Sequence, residues 1–500
     1  MLKSLFRSAE AKKQAKKQAL EAAVRAAEAA GDLRGLIAQR RALAELEPRE
    51  PAAWLALAQA WRTAGEPRDA IAAYAKALEC GAPAADAHLQ LGVLHAQLSE
   101  HAQAVRELEA AAALAPGNAD VLCMLGTVMS DQRRFDQAAV LFERALALKP
   151  DFAEAHFNLG LARFEAADIR GAAREFARSA ALVRGAPWDA ARRADLARDP
   201  EPLFAGKDMG VNPIKLRHDC EQLEYLLGLA RLPPIYREVL DDYRALLAEV
   251  ASLDAESLAP FDAARHPLVA RTYKRPFHIA DLPRPDGALI NPQLAFADIE
   301  RRYLDAEPNV LVLDELLTPA ALEAVRRYCL ESTFWNAIKP GYLGAYFFDG
   351  FCGELMLHLA WQLRERFPGI FQGLPLQTLW AYKHDCTLPG LGVHADAAAV
   401  NVNFWITDDS ANLEREGGGL LVWPQDAPAD WGFAKFNHDA ATILQYLESA
   451  GGQPMRAPYR ANRAVIFDSD LFHATDRPRF RDGYLNRRIN ITLLYGLRSM

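Results

Sequence analysis

No CxxC pair occurs among Cys80, Cys123, Cys220, Cys329, Cys352 and Cys386, so neither a zinc knuckle nor a thioredoxin-type redox motif is encoded. Scattered thiols of this kind read as reduced, in a cytoplasmic setting. No uncharged apolar run reaches the roughly 18 residues a membrane-spanning helix needs, and no membrane span is expected. Basic residues are also in deficit, 57 against 65 acidic ones, for a net charge of -8. That balance argues against broad nucleic-acid binding, which needs a basic face. The opening MLKSLFRSAEAKKQAKKQ has lysines but no apolar stretch behind them, so no secretory signal is expected and residues 1–16 form a basic lead segment. What is present, 51% hydrophobic and 24% charged residues over 500 positions, excludes disorder and leaves room for two or three domains.

A period of 34 residues organises the first third. Leu57, Leu91, Leu125 and Leu159 fall in register, each followed by a small residue: Ala58, Gly92, Gly126 and Gly160. In the second half of each unit Ala70, Ala104, Ala138 and Ala172 recur, with bulky Tyr74, Leu108, Phe142 and Phe176 four positions on. Apolar spacing such as Trp54, Leu57, Ala58 and Trp61 gives one stripe on a helix, so each unit predicts two amphipathic helices. A small residue lets two helix backbones approach, and the large one fills the space beside it. Pro116 and Pro150 end units at one phase. The pattern resembles the tetratricopeptide repeat over residues 51–184, with 17–50 a degenerate first unit in which Val24 and Leu36 replace small residues. The resemblance implies a concave groove that binds a protein or peptide, or else an array that positions or oligomerises the rest of the chain. His88 and His156 stand where Trp54 does and read as packing or groove residues, not metal ligands.

The period is lost over 185–300, where helices are expected at Leu216–Leu232 and Ile235–Val250 beside a proline-rich, irregular stretch. The pair His218 and Asp219 reads as a packing or hydrogen-bonding feature. From 301 onward short β-rich runs dominate, PNVLVLDELL, QTLWAYKHD, AVNVNFWIT, GGLLVW, NRAVIFD and RINITLLYG, with a helix opened by Thr318-Pro319. Short strands in series suggest a barrel or jelly roll.

Within that region His394 and Asp396 are separated by one residue, a spacing that puts both side chains on one side of an extended strand. His473, at the end of AVIFDSDLFH, could close the coordination from across a barrel. Two histidines and one carboxylate leave positions open on an octahedral metal, the arrangement of non-haem Fe(II) oxygenases; manganese or cobalt also fit such ligands. His384 and Asp385 are immediate neighbours, point to opposite faces and are rejected as a chelate. In the last strand Arg488, Asn490 and Thr492 share a face, and a buried arginine there calls for an anion. Arg487 sits on the opposite, apolar-facing phase. Asn401 and Asn403 lie on one phase with Trp405 and either contact substrate or co-substrate or pair with backbone.

His394-Ala395-Asp396, His473 and Arg488-Ile489-Asn490, in this order, resemble the Fe(II)- and 2-oxoglutarate-dependent dioxygenases of the prolyl-hydroxylase-like type, with a double-stranded β-helix over about 308–497. RINIT is similar to the last strand of the alkylation-repair demethylases, and Gly417 to Gly419 match a turn usual in such barrels. The resemblance implies Fe(II) on His394, Asp396 and His473, and 2-oxoglutarate on Arg488, Asn490 and Tyr382. O2 would be the oxidant and ascorbate an auxiliary reductant. Succinate and carbon dioxide would be formed as a substrate C–H bond is oxidised. A carboxylate at Asp396 fills the place halide takes in related halogenases, so hydroxylation or demethylation is implied.

The expected chain is therefore multidomain, α plus α+β: lead segment 1–16, tetratricopeptide solenoid 17–184, helical and irregular connector 185–300, and oxygenase domain 301–500 with a jelly-roll fold. The expected function is hydroxylation of a protein or peptide substrate recruited by the repeats. The alternatives are a small-metabolite hydroxylase whose repeats serve oligomerisation, and a catalytically inactive scaffold.

Overall fold

A computed structural model describes residues 2–185, 187–188, 210–254, 257–282, 284–385 and 390–498; Cys386 lies outside them. The chain divides into two compact units, Met1–Ala166 and Ala167–Met500.

The first unit is all helical: α1 (Leu2–Ala30), α2 (Leu33–Leu46), α3 (Pro51–Thr63), α4 (Pro67–Glu79), α5 (Ala84–Gln97), α6 (His101–Leu114), α7 (Ala119–Asp131), α8 (Phe135–Leu148) and α9 (Ala153–Glu165). The lead segment is not separate, since α1 runs through it without a break. Prolines open α3 and α4 at the first turn, where no intrahelical N–H is lost, and Asn118 Oδ1 caps α7 by accepting from Asp120 N at 3.0 Å. The small-and-large register has the predicted mechanical meaning. A Cβ added at Gly126 would lie 2.7 Å from the Phe142 ring, and one at Gly92 2.5 Å from Leu108 Cγ, so these crossings admit no side chain. Ala104, Leu108, Ala138, Phe142 and Ala145 are fully buried in the resulting core.

The second unit begins one helix earlier than the periodicity suggests. Helix α10 (Ile169–Arg184) carries the repeat residues Ala172 and Phe176, yet it belongs to this unit. Next come α11 (Pro213–Gly228) and α12 (Tyr236–Val250), close to the expected helices, with a shared core of Leu216, Leu223, Tyr243 and Leu246. The connector is not a linker: Gln222 Nε2 donates to the carbonyls of Leu330 and Ser332 at 3.1 and 2.9 Å, tying α11 to the sheet domain.

Among the described residues ten strands follow: β1 (Val310–Leu313), β2 (Ala337–Lys339), β3 (Tyr342–Tyr346), β4 (Leu376–His384), β5 (Val400–Trp405), β6 (Leu420–Asp426), β7 (Met455–Ala457), β8 (Ala464–Asp468), β9 (Leu471–Thr475) and β10 (Ile489–Tyr495). They form a seven-stranded sheet in the order β1-β8-β5-β10-β4-β3-β2 and a three-stranded sheet in the order β7-β6-β9, every pairing antiparallel. Trp405, Val465 and Phe467 of the larger sheet share a buried core with Leu420, Val422 and Leu471 of the smaller one. Two expectations are corrected. NRAVIFDSDLFHAT is two strands, β8 and β9, in different sheets, because the turn at Ser469-Asp470 carries the chain across. The strands are also not free of intervening helices, since Phe433–His438 and Ala440–Ala450 are helical between β6 and β7.

Candidate metal centre

Antiparallel register decides which side chains meet. On β4, Trp380 and Tyr382 lie opposite Thr492 and Asn490 of β10, which in turn lie opposite Asn403 and Trp405 of β5. Residues two apart on a strand share a face, so these polar and aromatic groups line one inner surface.

His394 and Asp396 come from the segment before β5 and His473 from β9. The segment is not a regular strand, contrary to expectation. It is flanked by Gly390 and Gly392 and holds only a single bridge, with His394 N donating to His473 O at 3.0 Å and His473 N to His394 O at 2.8 Å. That bridge places the imidazoles side by side, ring centres 4.2 Å apart. His394 Nε2 lies 3.8 Å from Asp396 Oδ1, and His473 Nε2 lies 3.4 Å from Asp396 Oδ2. One donor atom from each residue falls within 4.8 Å of the others, all three residues are buried, and among the described residues no other histidine, cysteine or carboxylate group converges in this way.

The outer contacts point the same way. His394 Nδ1 sits 2.9 Å from the Gly392 carbonyl and His473 Nδ1 3.0 Å from that of Leu471. A carbonyl only accepts, so each ring donates from Nδ1 and both Nε2 atoms are turned toward Asp396. Burial, reinforced by the neighbouring His473, pushes the His394 imidazole down to about 4, leaving it neutral as a ligand must be. Burial pushes the Asp396 carboxyl up, but the His473 hydrogen bond and the two imidazoles outweigh it and hold the group below the ordinary carboxylate value. Asn401 Nδ2 donates to Asp396 Oδ2 at 2.8 Å, orienting the carboxylate. Asn403 instead donates to Thr492 Oγ1 at 3.0 Å.

Arg488 lies in the same chamber and is 1% exposed. Its Nε donates to Gly418 O at 2.6 Å, and its terminal nitrogens donate to His384 Nε2, Asn490 Oδ1 and Gly419 O at 2.8, 3.0 and 3.3 Å. Among the described residues no carboxylate pairs with it. Burial lowers its pKa to about 10, and the group remains a cation at neutral pH. Arg487, one residue earlier, faces the other way and pairs with Asp385 at 3.1 Å and Glu221 at 2.9 Å. The glycine turn has a steric cause: a Cβ at Gly419 would lie 1.9 Å from Ala457 O.

Tyr382 lines both the inner chamber and a cleft of about 660 Å³ that opens outward past Tyr342, Tyr346 and Phe433. His384 lies outside the converging group and accepts from Arg488, a role the sequence reading did not assign, and Trp380 and Tyr346 were likewise not singled out. The two-residue phase from Tyr382 would have found Trp380 and His384. His218 and Asp219 are buried elsewhere, Asp219 paired with Lys215 at 2.8 Å. His88 meets Glu107 at 2.6 Å and His156 meets the Pro150 carbonyl at 3.1 Å, away from any ligand cluster.

Residues 130–166 match the family model of the TPR repeat. No curated protein matches the chain. Among solved structures, a crystal structure of the MamA protein is 22% identical over 37% of this chain and 96% of its own, with a TM-score of 0.32. MamA from Desulfovibrio magneticus RS-1 is 20% identical over 33% of this chain and 94% of its own, TM-score 0.32. YrrB, described as a TPR protein with an unusual peptide-binding site, is 18% identical over 32% and 82%, TM-score 0.29. No helix among the described residues is long and apolar enough to cross a membrane. The chain thus joins an N-terminal helical solenoid of tetratricopeptide repeats, a protein-binding type of scaffold, to a C-terminal domain of antiparallel sheet.

Proposed function

We propose that the C-terminal domain is a double-stranded β-helix oxygenase that uses Fe(II), 2-oxoglutarate and O2 to hydroxylate a C–H bond in a protein or peptide recruited by the repeats. The observation that carries this reading is the pairing, in one buried chamber, of two imidazole Nε2 atoms and a carboxylate within 4.8 Å with an arginine that has only neutral partners. The donor set fits Fe(II), being two imidazole nitrogens and one carboxylate, a set that leaves coordination positions open. A buried guanidinium bonded to carbonyls, an imidazole and an amide still carries its full charge, and a dicarboxylate co-substrate would supply the missing anion.

Bound together there, iron and 2-oxoglutarate supply the oxidising chemistry. His394, Asp396 and His473 would hold the metal, with Asn401 fixing the carboxylate that His473 and His394 flank. Arg488 would pair with the distal carboxylate, kept in place by Gly418, Gly419, His384 and Asn490. The Tyr382 hydroxyl, held un-ionised by burial, stands at the neck between chamber and cleft as a hydrogen-bond donor. The aromatic cleft beyond it is the approach for substrate.

Incubation with Fe(II), labelled 2-oxoglutarate and ascorbate should yield succinate, and His394→Ala should abolish it. Absence of iron binding under anaerobic conditions would end the proposal. Whether the substrate is recruited by the repeats is tested by deleting residues 1–166: a small-molecule hydroxylase keeps its turnover, and an enzyme acting on a recruited protein loses it. The cut belongs at 166 because α10 is part of the second unit.

A further inference from the structure

The cleft wall depends on a helix that the 34-residue register assigns to the repeats. Tyr346 ends β3, its hydroxyl 3.1 Å from that of Tyr382. The chain then turns through a short 3-10 segment, Phe347–Asp349, whose residues face opposite ways. Phe348 is exposed and stacks on the Tyr346 ring, centres 5.4 Å apart and planes 2° from parallel. Phe347 and Asp349 are buried, and α10 covers them. The Phe347 ring lies 4.3 Å from that of Phe176. The Asp349 carboxylate, 0% exposed, accepts from Arg184 Nε at 2.6 Å and meets a terminal Arg184 nitrogen at 2.5 Å. Both guanidinium nitrogens converge on one oxygen, Oδ1, a charge-assisted contact in a dry site that anchors the segment to α10.

We propose that Arg184 and Asp349 are positioning residues for the cleft: their ion pair holds Phe347–Asp349 on α10 and thereby sets Tyr346 and, through its hydroxyl, Tyr382. The functional meaning of this wall rests on the oxygenase reading, since it flanks the route to the proposed metal. Displacing α10 would loosen the aromatic wall while leaving the three ligands in place, because His394, Asp396 and His473 are held by β9 and by the Ser469 carbonyl, which accepts from Asp396 N at 3.1 Å.

The test uses the full chain and hydrogen exchange. Arg184→Met is expected to speed amide exchange in residues 342–350 and 378–384 by roughly ten-fold, with residues 464–475 unchanged. Co(II) affinity should stay within about two-fold, since the ligands are untouched. Arg184→Lys, which keeps the charge but offers a single ammonium in place of two guanidinium nitrogens, should restore the protection only in part. Arg184→Met strands a buried carboxylate and could fail to fold, so Arg184→Met/Asp349→Asn, which leaves no charge unpaired, decides the matter. The same local rise in the double variant supports the proposal. Unchanged exchange there, or a uniform rise across the whole sheet, overturns it. Failure of the unmodified protein to form succinate would overturn the oxygenase reading instead, and the exchange result would still decide whether α10 sets the wall.

Discussion

The repeats and the sheet domain are both packed from small residues facing large ones, but their contacts have opposite reach. Gly126 meets Phe142 and Gly92 meets Leu108, each across sixteen positions. In the sheet domain Ile491 sits between Ala381 and Phe404, and Arg488 reaches back to Gly418 and His384. A damaged repeat costs its neighbours alone, whereas a damaged central strand disturbs both edges of a sheet and the chamber it lines.

Four substitutions break or sharpen this contrast, in decreasing order of effect. Phe142→Ala should destabilise the helical unit by about 3–5 kcal/mol in urea unfolding, as a cavity in a full core does. Its effect on Mn(II) affinity should be nil, and a shift would show that the two packing regimes are not independent. Asp396→Ala should weaken Mn(II) binding in calorimetry by more than about 100-fold, since outer-shell changes alone cost up to about that much. Asn401→Ala should cost roughly ten-fold in the same measurement, by freeing the Asp396 carboxylate to rotate.

The smallest effect concerns pH. Burial pushes the Asp470 carboxyl up to about 6, with Arg498 pulling it down and Asp468 and Asp426 adding to the rise. A carboxyl raised on folding contributes its stability while protonated, in full below about pH 4, and loses it as pH rises toward 6. Asp470→Asn should flatten stability across that window by about 1 kcal/mol or less, because the group is partly solvated and ion-paired to Arg498 at 2.6 Å. Thermal midpoints at the two ends of the window check the sign.

The repeats were legible because Ala, Gly and bulky residues recur at a fixed spacing, and periodicity reports which face a helix buries. It does not report which neighbour covers that face. Phe176 keeps the register yet packs on Phe347, and nothing in the spacing distinguishes that partner from another helix. His394, Asp396 and His473 were found from spacing that presumed a regular strand, and they converge although that strand does not exist: one bridge between His394 and His473 does the work expected of a ladder. The hairpin of β2 and β3 was missed because Ala337–Lys339 and Tyr342–Tyr346 are short and show no alternation of polar and apolar positions. Arg488 was separated from Arg487 by strand phase alone, since a two-residue period flips every side chain when shifted by one.

Each of these two imidazoles is tethered to a carbonyl only two residues upstream, Gly392 for His394 and Leu471 for His473. The aim of each ring is therefore steered within a tripeptide, while the bridge between the two segments sets their spacing. Such short-range steering makes the two tripeptides portable units for grafting onto another pair of adjoining backbone segments.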